Sequence, residues 1–402
     1  MPKPRAIDPA AIAPGPAYLA VEGVGLARLV DGALTQVADV SSTAALSFGA
    51  NGVVYAETVQ GILRVDRDKT TTIAAHRPYA TYTALVAGRG GALFATDHDS
   101  LFRYDGHAWQ IDPGSTFQGA SISDHLLVDR DGNAWVLAHR IYKRDGQSWV
   151  SVDVPGNPVI NSFALGPLGE LYLGLSDHRL QYQLAGASHE LGELDAGVSE
   201  IVVGPTGAIA ASGLGSQVMI GTPGAAPRVI DLTSIGAKLT HARAFAVDGS
   251  GRSWFSSDNG IVIVDAAGKL LQQWAPGTVA GLNGKVTALA ILGAGPALPT
   301  LTAAKRGTVV GKVLTGGKPA ANAAVELCEQ PQTMFKSSPC ETASYVGTAM
   351  TTTDGSFRIA NVPSDSYAVM VSTDKWHHLL GVGCCTSVRP EADTDLGELT
   401  IR

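Results

Sequence analysis

The feature that most constrains this chain of 402 residues is a glycine-marked repeat with a period of about 40 residues. Its clearest copy runs Asp129-Arg130-Asp131-Gly132-Asn133-Ala134-Trp135-Val136-Leu137, continues through Ile141-Tyr142-Lys143-Arg144-Asp145-Gly146, and ends in Ser148-Trp149-Val150. Each turn leads into a short apolar or aromatic strand, so one copy is an antiparallel meander. Corresponding glycines stand at 52, 91, 132, 169, 207 and 251, at intervals of 39, 41, 37, 38 and 44 residues. Each is placed where a tight turn needs φ > 0, which glycine adopts without steric cost.

Upstream of each turn lies a further apolar run: Ala44–Phe48, Thr83–Ala87, Leu126–Val128, Ser162–Leu165, Glu200–Val203 and Ala244–Val247. These runs are small and hydrophobic on both faces, as strands packed around a central channel must be. Residues 17–40 read as three strands (Tyr18–Val21, Leu26–Val30, Leu34–Ala38) without an innermost partner, and Lys285–Leu292 reads as a strand without a sheet. Pairing the two completes a seventh sheet and removes the free edges of an open array. The expected fold class is all-β: a seven-bladed β-propeller over residues 17–292, closed by pairing of its N- and C-terminal strands.

The recurring phrase Asp-x-x-Gly-x-x-Trp-Val, followed by Gly-Ile or its equivalent and then Tyr/Val-Asp, resembles the propeller repeats in sensor regions of bacterial two-component regulators. It is also similar to the repeats of streptogramin lyase-type propellers. The resemblance spans residues 17–292 and implies the fold, while no catalytic residue carries over position by position. Gly-His and Trp-Asp signatures and the kelch double glycine do not recur. The sialidase Asp-box fails in Asp248-Gly249-Ser250-Gly251-Arg252-Ser253-Trp254, where the glycine comes one place late.

Residues 293–306 are rich in Gly, Ala, Pro and Thr, as expected of a linker. Beyond them, Thr308–Leu314, Ala324–Cys328, Tyr345–Thr352, Ser356–Ile359, Tyr367–Val371 and Leu396–Ile401 read as short strands of an Ig-like or transthyretin-like β-sandwich over 307–402. The phrases Gly-x-Val-x-Gly-x-Val, Thr-x-x-Asp-Gly-x-Phe and Asn-Val-Pro-x-x-x-Tyr resemble the carboxypeptidase regulatory-like module. That resemblance implies an accessory role in stability, attachment or assembly, with the matched residues at turn and core positions.

With 29 basic against 36 acidic residues the net charge is −7, and no basic stripe marks a nucleic-acid partner. No run of 18 apolar residues occurs, so no membrane span is expected. Met1–Pro9 lacks the apolar core of a signal peptide. The proline-rich opening to Pro16 reads as a tether of the kind that follows a removed export signal or a lipid-anchored cysteine. Cys328, Cys340, Cys384 and Cys385 all lie in the second domain. An even number confined to a small β-domain points to disulfides and an extracytoplasmic compartment: periplasm, cell surface or secreted.

Three disulfide connectivities are open. Cys328 with Cys340 would close a short loop, contributing roughly 2–3 kcal/mol, but would leave Cys384 and Cys385 as a strained vicinal pair. Cross-pairing avoids that strain. A zinc or copper site from Cys384, Cys385, His377 and His378 is the competing reading. Adjacent cysteines supply poor ligand angles and no Cys-x-x-Cys spacing occurs, so disulfides are favoured and neither metal nor cofactor is expected.

Within the repeats, the second-to-third strand turns carry a recurring polar set: Asp97-His98-Asp99, His139-Arg140, Asp177-His178-Arg179 and Asp258-Asn259. Strand alternation puts these on the same end as the connections between repeats, which carry His76, Arg77, Tyr79, Tyr82 and His241. The ligand-binding candidates are therefore His76, Arg77, Tyr79, His98, His139, Arg140, His178, Arg179, His241 and Asp258. The competing reading is that such residues only bond turn amides. Asp129, Asp131 and Asn133 read as a plain turn, because a calcium loop needs its glycine at the sixth position. Trp109, Trp135, Trp149 and Trp254 read as packing between sheets.

Nucleophile-elbow, phosphate-loop and zinc-protease motifs are absent from the sequence. The leading expectation is an exported bacterial recognition or assembly protein, with a protein or glycan of the cell envelope as partner. The alternatives are a propeller lyase or hydrolase using a histidine base at the loop face, and a structural subunit of a surface assembly.

Overall fold

A computed structural model describes the chain from residue 12 to residue 401, apart from short segments such as 41–44, 77–81, 98–99, 118–121, 238–241, 303–305, 342–345 and 379–385. The chain divides into two compact units, residues 1–274 with 286–300 and residues 275–285 with 301–402.

The first unit is propeller-like and all-β. Among its described residues are seven four-stranded antiparallel sheets. Sheet 1 comprises Ala17–Val21, Gly25–Val30, Ala33–Ala38 and Val286–Ile291; sheet 2 begins at Leu46–Phe48, sheet 3 at Ala84–Ala87 and sheet 4 at Leu126–Val128. Sheets 5, 6 and 7 begin at Ile160–Leu165, Glu200–Val203 and Arg243–Val247. In sheets 2–7 the four strands pair in sequence order. Sheet 1 instead takes its innermost strand from the far end of the unit, with Ala17 opposite Ile291 and Leu19 opposite Leu289.

The burial gradient across a sheet follows its residues. The second strand of sheet 2, Val54–Thr58, is buried throughout, whereas its fourth, Lys69–Ile73, is exposed at four of its five residues and rich in threonine. Inner strands are covered on both faces by neighbouring sheets and so lose alternation, while outer strands meet water. Neighbouring sheets share apolar layers. Leu137 and Ile141 of sheet 4 pack with Phe163 and Leu173 of sheet 5, and Tyr172 and Leu180 of sheet 5 with Ile201 and Met219 of sheet 6. Burying each such side chain contributes about 1.5–3 kcal/mol. Arg243–Val247 lies beside Val286–Ile291, which in turn lies beside Leu46–Phe48.

The repeat glycines do what their spacing predicts: Gly52, Gly91, Gly132, Gly169, Gly207 and Gly251 have φ between 75° and 89°. The recurring chemistry around them is also explained locally. Asp129 Oδ1 accepts the backbone N–H groups of Asp131 and Asn133 at 2.9 Å, and its Oδ2 accepts the Trp135 indole N–H at 3.1 Å. Asp248 repeats this with Ser250 and Arg252 amides at 3.0 Å and the Trp254 indole at 3.0 Å. One carboxylate thus closes the turn and fixes the tryptophan of the following strand.

In the second unit, Arg306–Thr315 pairs antiparallel with Ser356–Pro363 and in parallel with Asp393–Ile401. Ala324–Cys328 pairs with Gly347–Met350 and Ser366–Ser372 in a second sheet. Val309, Val313, Phe357 and Ile359 of the first sheet share one core with Val325, Leu327, Tyr367 and Val369 of the second. Cys328 and Cys340 form a buried disulfide, which selects one of the three open pairings. Cys384 and Cys385 lie outside the described residues, and so does the question of a vicinal pair. No helix among the described residues is long and apolar enough to cross a membrane.

Candidate functional site

Because each sheet of the first unit is an antiparallel meander, its second-to-third strand turn shares an end with the connection leaving its fourth strand. The opposite end holds the Asp–Gly–Trp turns. His76, in the connection from sheet 2, makes this adjacency explicit. Its Nε2 lies 4.0 Å from Asp97 Oδ2 in the second-to-third turn of sheet 3. Its Nδ1 is 2.9 Å from the Tyr82 hydroxyl, and its ring stacks on Phe102 with centroids 3.8 Å apart. Tyr82 in turn stacks on Trp109, and its backbone N–H donates to the buried carboxylate of Glu57 at 2.9 Å. His76 therefore welds sheets 2 and 3 together at the rim.

Of the other described candidates, His139, Arg140 and His178 are exposed and Arg179 is half-buried. His139 Nε2 lies 3.0 Å from the Tyr142 hydroxyl, and Arg140 points to solvent on the same turn. Arg179 donates from Nε and Nη2 to Asp177 Oδ2 at 2.9 and 2.5 Å, and these bonds hold the Asp177 carboxyl below its usual range. His178 between them has φ 76°, a region glycine favours. Gly25, Gly61, Gly215 and Gly260 carry positive φ at the corresponding turns of sheets 1, 2, 6 and 7. Sheet 5 thus carries an imidazole at a positive-φ position of this turn, where sheets 1, 2, 6 and 7 use glycine. Arg77, Tyr79, His98, His241 and Asp258 lie outside the described residues.

Backbone bonds brace these turns within sheet 5 and link sheet 6 to sheet 7. The Leu194 N–H donates to His178 O at 3.0 Å, the Ser176 N–H to Val159 O at 3.0 Å, and the Ala242 N–H to Gly215 O at 2.8 Å. The Gln217 side-chain amide donates to Asp195 Oδ2 at 2.5 Å, joining the connection out of sheet 5 to sheet 6. Further in, at the opening positions of two successive innermost strands, Arg243 Nε donates to Glu200 Oε2 at 3.2 Å.

Sequence reasoning missed Glu57, Glu200, Arg243 and the buried Asp112. Asp112 accepts from Arg144 Nε at 2.9 Å and from the Trp149 indole at 2.8 Å across sheets 3 and 4. A signal for Arg243 and Glu200 was present: both are charged at the first position of runs otherwise apolar. Burial pulls the Asp129 carboxyl upward, yet hydrogen bonds from Trp135, Asn133 and Lys143 outweigh it and hold the group at about 2. Burial, with Glu170 close by, raises the Tyr172 phenol. Among the described residues no three His, Cys, Asp or Glu side chains stand where they could hold a metal ion.

No protein-family model matches the chain, and no curated protein matches it in sequence. Among solved structures it is similar to virginiamycin B lyase from Staphylococcus aureus, at 11% identity and a TM-score of 0.48, over 80% of this chain and 94% of that one. It is similar also to the extracellular domain of the hybrid two component system BT3049 from B. thetaiotaomicron, at 13% identity and a TM-score of 0.49, over 98% of this chain and 55% of that one. A third is YCF48 bound to D1 peptide, at 10% identity and a TM-score of 0.45, over 79% and 93%. With every TM-score below 0.5, no residue role or ligand passes from these proteins to this chain.

Proposed function

We propose that this chain is an exported recognition or assembly protein of the bacterial envelope. Residues 17–292 form a closed seven-bladed propeller whose rim binds a protein or glycan. Residues 307–402 form a transthyretin-like, carboxypeptidase regulatory-like sandwich that tethers or orients it, with 293–306 as linker and 1–16 as tether. The observation that supports this reading is the rim itself: turns that differ in sequence are cross-bonded from sheet to sheet, as in the Asp195–Gln217 and Ala242–Gly215 contacts. Such bonding presents exposed side chains on a stiff frame, which lowers the entropy cost of binding. The Cys328–Cys340 disulfide supports an oxidising compartment.

The test is binding of the purified full chain to arrays of envelope glycans and of linear peptides. Saturable binding that is weakened by His139→Ala with His178→Ala, and kept when the outer-strand Val229→Ser is made instead, is expected. Absence of saturable binding on both arrays overturns the reading.

A further inference from the structure

Among the described residues, the two most exposed large apolar side chains both stand on the rim. Leu214, 75% exposed, is at the tip of the second-to-third turn of sheet 6, and Val159, 68% exposed, is in the connection entering sheet 5. A single exposed leucine is ordinary. Between these two lies a series of close approaches. The carbonyl of Val159 accepts the N–H of Ser176 in the turn that carries His178, and a Cβ placed on Gly197 would stand 3.8 Å from the His178 ring. The Gly197 carbonyl packs so closely on Gly213 that a Cβ there would collide with it. The next residue is Leu214, and Gly215 O then accepts the N–H of Ala242 at 2.8 Å, one residue before Arg243.

Arg243 supplies the polar half of this surface. Its side chain is 60% exposed, and among the described residues its ion pair with Glu200 uses the Nε edge. A guanidinium so held keeps a planar donor fork for a second carboxylate, the geometry that arginine suits better than lysine. The carboxylate of Glu200, less exposed than Arg243, fixes the orientation in advance.

We infer that the rim over sheets 5–7 docks an extended peptide segment of a partner protein, setting an acidic side chain or chain end on Arg243 and apolar side chains on Leu214 and Val159. This rests on the recognition-platform reading and specifies its ligand. Charge and composition choose a peptide over the alternatives. A phosphate backbone needs several cations along its track, whereas the surface argued here offers one guanidinium, enough for a single carboxylate. A glycan would want broad aromatic faces, whereas this surface offers branched aliphatic groups beside a cation.

The experiment is selection of a displayed library of random linear peptides on the full chain, repeated on Arg243→Glu. The wild type should enrich peptides in which Asp or Glu lies within a few residues of Leu, Ile, Val or Phe. Arg243→Glu should exchange the acidic residue for Lys or Arg. A synthetic peptide of the wild-type consensus should lose about tenfold in affinity on Arg243→Glu and again on Leu214→Asp. Val229→Asp, on the outer strand of sheet 6, should leave it unchanged. Selected peptides without an acidic residue, or indifferent to both rim variants, overturn the inference. If the selected peptides are instead lost on His76→Ala, the platform reading survives and this site falls. If neither peptides nor glycans bind, both fall.

Discussion

The two ends of the propeller-like unit are built from the same meander and use their polar residues in opposite ways. At one end, Asp129 and Asp248 turn inward, each binding two amides of its own turn and the indole six residues on. At the other, the turns hold Asp97, His139, His178 and Leu214, alike in position and unlike in chemistry. The bonds there run between turns and between sheets, as from His76 toward Asp97. A repeated element fixed by repeated residues does structural work. Where the repeat is kept in backbone and abandoned in side chain, the sequence has been released from that work.

This contrast can be broken by substitution. The largest effect is expected between sheets 3 and 4. Asp112→Ala strands the Arg144 guanidinium and the Trp149 indole in a buried place, at a cost of about 3–5 kcal/mol, read as a fall in the urea midpoint of the first unit. Cys328→Ser with Cys340→Ser should cost about 2–3 kcal/mol, with calorimetry showing the loss in the second unit alone.

Asp129→Ala should cost about 2 kcal/mol near neutral pH, from hydrogen bonds to a charged acceptor. Its folded-state carboxyl is depressed from 3.8 to about 2. The stabilisation is therefore complete above the unfolded value and disappears as pH falls from 3.8 through about 2, which a stability–pH profile against Asp129→Ala would show. If the rim is free of such duties, His178→Gly should shift stability by no more than about 1 kcal/mol, and upward, because φ 76° is relieved. A large loss there would erase the distinction between the ends.

How far the sequence alone reaches follows the same division. The strand order, the glycine turns and the return of residues 286–291 to residues 17–21 were legible, because a period and an orphan strand are local signals that survive without neighbours. The tryptophans were rightly read as packing, with Trp254 fully buried and Trp149 set against the layer between sheets 3 and 4. Asp112 with Arg144, and Glu200 with Arg243, were not legible as pairs. Each joins residues 32 or 43 positions apart, close to one repeat, and only the packing of adjacent sheets brings them together. The disulfide was one of three options until the fold set Cys328, at the end of its strand, and Cys340, in the turn beyond, with Cα atoms 5.7 Å apart.

The strand Val286–Ile291 has a consequence for how the protein is born. Thr287 reaches the carbonyl of Ala20, 267 residues earlier. On a ribosome adding roughly 5–20 residues per second, the opening hairpins emerge on the order of tens of seconds before the segment that completes them. For that interval the nascent chain carries an unzipped seam along Ala17–Val21, open to wrong partners. A circular permutant cut in the exposed turn near Gly146, with the old ends joined, would move the seam to the outer strand Ser148–Ser151 of sheet 4 and let Ala17–Val21 follow Val286–Ile291 in synthesis.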